Sequence, residues 1–370
     1  MVLEFIGKKN VFCVCLVTIF GICFGCDERV SSSKEKSPKS SIEKSDMKTV
    51  SNSSAPVNML FIHHSVGGHW LGHENGNLVK ELNKKNIYVN DITYEWEPRD
   101  LVDSPLKRWK RKCIRLMKMD RKGVYSVGDR TDIGQMYDWF VGPDAVIVMR
   151  AVFAENNETE RFGNHANYQK LKSLVQNTEN EIIVFKSCYP NTNLKGNIND
   201  KANQDANPPR NYSADSEYHT IANAKRTFND VLQYCKSRPD KFFVFVTPPP
   251  RLELPENGRI ARGFALWLQN DWLKENSYPL NNVMVFDLYN VLTSGHAADK
   301  SDVNEAGGNH HRIWNGKEEH VVVVNNHVLA YPRKSGDNHP SAAGLQKATA
   351  EFVPLLVEKH SQWQHSKPPK

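Results

Sequence analysis

Cysteine is thin where it could build anything. Of the seven in the chain, Cys13, Cys15, Cys23 and Cys26 fall in the first 26 residues, and Cys113, Cys188 and Cys235 are scattered without Cys-x-x-Cys spacing. That excludes a disulfide scaffold and a thiolate metal cluster, leaving room for one disulfide and a spare thiol. Internal repeats are missing, and so is His-Glu-x-x-His, although His69 and His73 have helical i, i+4 spacing and His310, His311 and His320 crowd one stretch. His63 and His64 would point to opposite faces of a strand, so no metal ligand set and no cofactor is expected. Gly-x-Ser-x-Gly is missing too, because His63 stands two places before Ser65, which argues against the α/β-hydrolase nucleophile elbow. No RNA- or DNA-binding signature accompanies the net charge of +6, to which the lysines of 27–57 and 107–122 contribute. These read as solvated faces, and no nucleic-acid partner is expected.

What is present begins with an export signal over residues 1–26. Lys8 and Lys9 precede an apolar run at 11–25, shorter than the roughly 20 residues of a membrane span. The run ends at Phe24-Gly25-Cys26, which resembles a bacterial lipoprotein processing site with Cys26 as the lipidated residue, except that Cys23 stands where leucine is usual. An ordinary cleaved signal or an uncleaved anchor is the alternative. Residues 27–57 are rich in Ser, Lys and Glu without apolar periodicity, so they cannot bury enough surface to offset the entropy of ordering, and a flexible tether is expected. Tether and lipid together place the domain at the bacterial cell envelope, held to a membrane.

Residues 58–362 are expected to form one domain, followed by a flexible tail at 363–370. Strand-like runs at 60–64, 89–96, 145–149, 182–185, 242–246 and 283–287 alternate with helical patterns at 71–83, 168–176, 221–236, 261–274 and 342–360. Alternation of this kind predicts an α/β fold with a central parallel sheet of about five or six strands and helices on both faces. Two polar stretches, 99–132 and 297–333, read as insertions, the second with a hairpin pairing 320–325 with 328–331.

The chain is organised around Leu60-Phe61-Ile62-His63-His64-Ser65-Val66-Gly67-Gly68, an apolar run that stops at a serine followed closely by two glycines. It places Ser65 at the carboxyl end of a first strand, the edge where open α/β sheets bind ligands. Amides around Val66, Gly67 and Gly68 are free there to meet a developing oxyanion. A helix cap is the plainer reading of Ser65. Far along the chain, Asp337-Asn338-His339-Pro340 supplies an acid and a base just before the last helix.

An early Ser after the first strand with a late Asp and His-Pro resembles the SGNH/GDSL hydrolase family. The resemblance implies a three-layer, flavodoxin-like fold and a serine esterase, with Ser65 as nucleophile, His339 as base and Asp337 orienting it. The match is uneven. The family's first motif reads Gly-Asp-Ser against His63-His64-Ser65 here, and one residue separates Asp337 from His339 where the family has two. Its oxyanion hole adds a glycine and an asparagine. Gly134 and Asn191 are the nearest counterparts, with Asn193 as alternate, because Arg150-Ala151-Val152 follows the third run where Gly-x-Asn is expected. The rigid Thr247-Pro248-Pro249-Pro250-Arg251 and Asp287 also fall at the active edge, as connector and helix cap or as supports for the site. Compartment and family together imply an ester substrate, with acyl or acetyl groups on carbohydrate as its class. Two other readings stay open: a catalytically silent carbohydrate-binding or scaffold lipoprotein, and a metal-dependent hydrolase using the histidine-rich insertion.

Overall fold

Five short apolar runs form the frame, and in each of them every residue is buried: β1 (Val57–Ile62), β2 (Ile87–Ile92), β3 (Ile182–Lys186), β4 (Phe242–Val246) and β5 (Val283–Phe286). Strands covered on both faces read as continuous hydrophobic sequence, which is why these runs stand out. The structure is a computed structural model that describes residues 55–93, 96, 98, 132–156, 178–205, 209–252, 255–293, 307–323 and 325–367. The strands form one sheet in the order β2-β1-β3-β4-β5, with every neighbouring pair parallel.

Strand residues of alternating parity face two different cores. Leu60, Ile62, Ile183, Phe185, Phe243 and Phe245 share a cluster with α3 (Ile133–Phe140), α4 (Ala145–Ala154), α5 (Ile221–Ser237), α6 (Pro255–Asn270) and α7 (Trp272–Glu275). Met59, Phe61, Val184, Val244 and Phe286 join α1 (Ser65–Leu71), α2 (Leu78–Asn83), α8 (Leu288–Val291) and α9 (Ala342–Ser366) in the second cluster. The chain is therefore α/β with helices on both sheet faces. From β1 it runs outward to β2, then crosses back to β3, so the loops leaving β1 and β3 diverge at their carboxyl ends. Such a switch in direction opens a crevice for a ligand.

Several expectations are corrected. Residues 145–149 belong to helix α4, not a strand: the buried positions Ala145, Val148, Met149, Val152 and Phe153 recur every three or four residues, and Val146 is 71% exposed. The helix expected over 71–83 is two, α1 and α2, separated by a turn that ends at Asn77 in the left-handed region (φ 56°). Gly76 is needed there because a Cβ would lie 2.3 Å from the Trp70 carbonyl oxygen. Ser65 is thus the first residue of a helix, where a turn preceding the helix was expected.

The hairpin pairs β6 (His310–Trp314) with β7 (Lys317–Val321), ten residues earlier than expected, through the two-residue turn Asn315-Gly316 with φ of 50° and 74°. Positive φ at both central residues is what an Asn-Gly hairpin turn provides. Its inner strand is polar yet buried, because α9 supplies Glu351: Oε1 pairs with His310 Nδ1 at 2.8 Å and Oε2 accepts from the His311 amide at 2.8 Å. The second insertion is therefore partly a docked element. Helix α9 runs to Ser366, past the expected boundary at 362, and Trp363 is buried against Phe242. Val57, assigned to the tether, is already in β1. The expectations for 1–26, nearly all of 27–57, the insertion at 99–131, the helix at 168–176, Cys26 and Cys113 lie outside the described residues. Cys188 and Cys235 are both buried.

Candidate active site

The site starts from the end of β1. His63 lies fully buried beneath α1, its Nδ1 donating to the His64 carbonyl at 2.7 Å and its Nε2 facing Asp91 Oδ2 on β2 at 3.1 Å. Gly67 packs directly on it, and a Cβ at that position would fall 2.3 Å from the His63 Cβ. A side chain at Gly67 would lift the helix off the strand. Trp70 Nε1 donates to Thr349 Oγ1 at 2.8 Å, fastening α1 to α9. Ser65 thus rides a short helix held from below and behind.

The acid and base come from one loop closed on itself. The Ser341 amide donates to the Tyr331 carbonyl at 2.7 Å, Pro332 bridges Pro340, and the Arg333 amide donates to the His339 carbonyl at 2.8 Å. Above this neck, Lys334 to Asp337 form a turn closed by the Asp337 amide on the Lys334 carbonyl at 3.1 Å, with Gly336 at φ 74°. Left-handed backbone in the third place of a turn favours glycine. Below it, Ser341 caps α9 by accepting from the Gly344 amide, and Gly344 lets Tyr331 approach, since a Cβ would sit 2.6 Å from the Tyr331 Cβ.

Ser65, His339 and Asp337 meet as the sequence predicts. Ser65 Oγ lies 3.0 Å from His339 Nε2, and His339 Nδ1 lies 2.7 Å from Asp337 Oδ1. The same Oδ1 accepts from the His339 backbone amide at 2.9 Å. An aspartate bonding the amide two residues on is an Asx turn, so a single intervening residue is the spacing this geometry requires. The shortened motif therefore keeps the Asp–His bond. Arg333 completes the carboxylate: Nε and Nη2 reach Oδ2 at 2.8 and 2.7 Å. The His339 amide, the His339 ring and the Arg333 guanidinium hold Asp337 well below the usual carboxylate range.

The oxyanion set is only partly as expected. The Gly68 amide donates to the His64 carbonyl at 2.9 Å as the first rung of α1, which removes it from the set. The amides of Val66 and Gly67 precede that rung, among the N–H groups a helix start leaves over. Asn191 lies in the 3₁₀ turn Tyr189–Asn193 after β3, whose end neighbours that of β1 through the pairing of Ile62 with Phe185. Its side chain links that turn to α3: Oδ1 accepts from the Ile133 amide at 3.2 Å, and Nδ2 donates to Ser187 Oγ at 2.6 Å. The neighbouring Gly134 accommodates the Tyr212 backbone, whose carbonyl oxygen would lie 2.0 Å from an added Cβ. Asn191 and the start of α3 are thus brought together, with the amide of Asn191 turned toward Ser187. Asn193 Oδ1 is taken by Arg251 Nη1 at 2.9 Å.

Three contributors were not anticipated in these roles. Arg333 holds Asp337 as described. Asn338, between acid and base, accepts from the Leu252 amide at 2.8 Å and ties the loop to the segment after β4. His69 brings its ring to 5.9 Å from that of His339; burial, then Arg333 and His339, hold it below the usual imidazole range. Arg-x-x-x-Asp-x-His would have been the signal for the first, but a surface arginine has no periodicity to betray it.

The rigid loop after β4 and Asp287 prove connected. Thr247 Oγ1 donates to Asp287 Oδ1 at 3.2 Å, and Asp287 also caps α8 and pairs with His320 Nε2 at 2.8 Å. His311 Nδ1 accepts from the Asp287 amide at 2.9 Å, leaving Nε2 to donate to Glu318 at 3.2 Å. Asp287 thus supports the hairpin and has no bond to the Ser65 triad. Among the described residues no group of three or more His, Cys, Asp or Glu is arranged to hold a metal ion. No family model, no curated protein and no solved structure matches the chain.

Proposed function

We propose that this chain is a serine hydrolase of the SGNH/GDSL type that cleaves esters with Ser65, His339 and Asp337. The observation that carries the reading is the unbroken relay from Ser65 Oγ to His339 Nε2 at 3.0 Å and from His339 Nδ1 to Asp337 Oδ1 at 2.7 Å. The strand order is that of flavodoxin-like sheets and supports the same reading, as does the position of Ser65 at the first strand's carboxyl end. In the reaction Ser65 Oγ attacks the ester carbonyl while His339 Nε2 takes its proton. Asp337 holds the Nδ1–H and balances the imidazolium. The oxyanion develops toward the amides of Val66 and Gly67. Collapse expels the alcohol with the proton from His339, and a water activated by His339 then frees the acid and Ser65.

For substrate and location the support comes from the sequence. The Cys26 motif and the tether support an exported, lipid-anchored protein of the bacterial envelope, and acyl or acetyl esters on carbohydrate are the substrates such a position offers. The turned amide of Asn191 and the engaged amide of Gly68 favour one competing reading, a silent carbohydrate-binding or scaffold lipoprotein. The deciding experiment compares wild type with Ser65→Ala on a short-chain aryl ester and by fluorophosphonate labelling mapped by mass spectrometry. Labelling at Ser65, with kcat lost by at least about 10³-fold in the variant, is expected. Folded wild type that neither labels nor turns over would reject the esterase and move attention to glycan binding.

A further inference from the structure

Arg333 makes an ion pair that its surroundings do not explain. Its side chain is 46% exposed, and pairs at such sites add little to folding. Yet the geometry is specific: Nε and Nη2 converge on one oxygen of Asp337 while His339 occupies the other twice, through ring and backbone. Without Arg333 the carboxylate could rotate about its Cβ–Cγ bond and exchange the two oxygens. The Arg333 amide on the His339 carbonyl anchors the same residue in the loop's neck, so its backbone is fixed to the very residue its side chain helps orient.

We infer that Arg333 is a positioning residue: its guanidinium locks the Asp337 carboxylate in the rotamer that holds His339 Nδ1, in a loop where Asp and His are too close in sequence to be set independently. The inference rests on the serine-hydrolase reading for its kinetic consequence and on the loop geometry alone for its structural one. The charged and titratable groups around Asp337 are Arg333 and His339 within the loop and His69 from α1. Because Asp337 is held low, its bond to His339 persists at neutral pH and is lost as pH falls through the folded-state value. Removing the guanidinium moves that loss to higher pH.

The test uses Arg333→Gln, Arg333→Lys, Asp337→Asn and the double variant Arg333→Gln/Asp337→Asn in the full chain, with circular dichroism to check folding. Arg333→Gln should lower kcat about 10-fold with KM within about twofold, and should shift the acid limb of the kcat profile upward. Arg333→Lys should restore most of the rate, and in the Asp337→Asn background Arg333→Gln should cost nothing further. A wild-type kcat and acid limb in Arg333→Gln, or losses that multiply in the double variant, would overturn the inference. If wild type neither labels nor turns over, the function fails separately, and the lock is read from the far-downfield NMR signal of the His339 Nδ1 proton. Loss of that signal at higher pH in Arg333→Gln than in wild type upholds the lock, and loss at the same pH refutes it.

Discussion

Asp337 shows how an acid and a base separated by a single residue can keep the geometry of a hydrogen-bonded pair. One carboxylate oxygen serves both the amide and the ring of the residue two places on, an arrangement that a longer spacer would spread over a wider turn. Lys186 poses the opposite problem. It ends β3 fully buried, on the sheet face shared by Ile182 and Val184, and its Nζ has no hydrogen-bond partner among the described residues. Burial pulls its pKa from 10.5 down to about 8, only partly offset by Cys188. The unfolded chain holds that proton up to the higher value, so stability should rise with pH between about 8 and 10.5. A shift of this size corresponds to about 3 kcal/mol at neutral pH. Lys186→Met, of similar length and without the charge, should raise the urea-unfolding free energy by about 2 kcal/mol and flatten that alkaline rise. An unchanged or lower midpoint would mean the ammonium is solvated.

At the level of elements, the loop that carries acid and base is seated by Asn338, whose side chain accepts the Leu252 amide. Asn338→Ala should cost about 1 kcal/mol in stability and lower kcat several-fold with Ser65 still labelled, a split that stopped-flow acylation and thermal melts would resolve. The sheet was legible in sequence because its strands are buried on both faces and read as unbroken apolar runs. The same rule misassigned α4, whose residues 145–149 are also an unbroken apolar run; only the extension to Val152 and Phe153 reveals the helical period. The β6–β7 hairpin was misplaced because its buried strand begins with His310, His311 and Arg312, satisfied by Glu351 from α9 and by Glu318 and Glu319 from β7 itself. Polar strands buried by ion pairs carry no hydrophobic alternation, and here only Asn315-Gly316 marked the turn. Ser65, His339 and Asp337 were legible through spacing and order. The engaged amides of Gly68 and Asn191 were not, since hydrogen-bond partners depend on packing that a sequence does not display.

For the molecule as a whole, acid response is a sum of opposed titrations. Burial lowers His219 from 6.5 to about 4, so the unfolded chain binds the extra proton across that interval and stability declines with acidification. Asp138 works the other way: burial, then Asp144, raise it from 3.8 to about 6, and the folded chain takes the proton first. These nearly cancel. What remains are three more histidines held below the usual imidazole range chiefly by burial, His69, His311 and His327, and carboxylates held low: Glu318, brought to about 2 chiefly by the His311 hydrogen bond, Asp337, and Asp287, whose burial opposes but does not overcome its pairing with His320. Their contribution is complete above the unfolded values and disappears as pH falls through the folded ones. Urea midpoints should therefore begin to fall below about pH 6.5 and drop most steeply from about pH 4 to about pH 2.5, and midpoints that stay level from about pH 7 down to about pH 4 would contradict this balance.

The neck between Tyr331 and Ser341 gives the triad an unequal division of labour. Asp337 and His339, with Arg333 that holds them, travel as a single cassette whose internal geometry owes nothing to the sheet, while Ser65 owes everything to it. Accumulating mutations in the core can then spoil only one relationship, the distance between cassette and serine, and repair at the docking surface restores all of it at once. A site assembled this way tolerates drift in the rest of the chain far better than one whose members are spread over three separate strands.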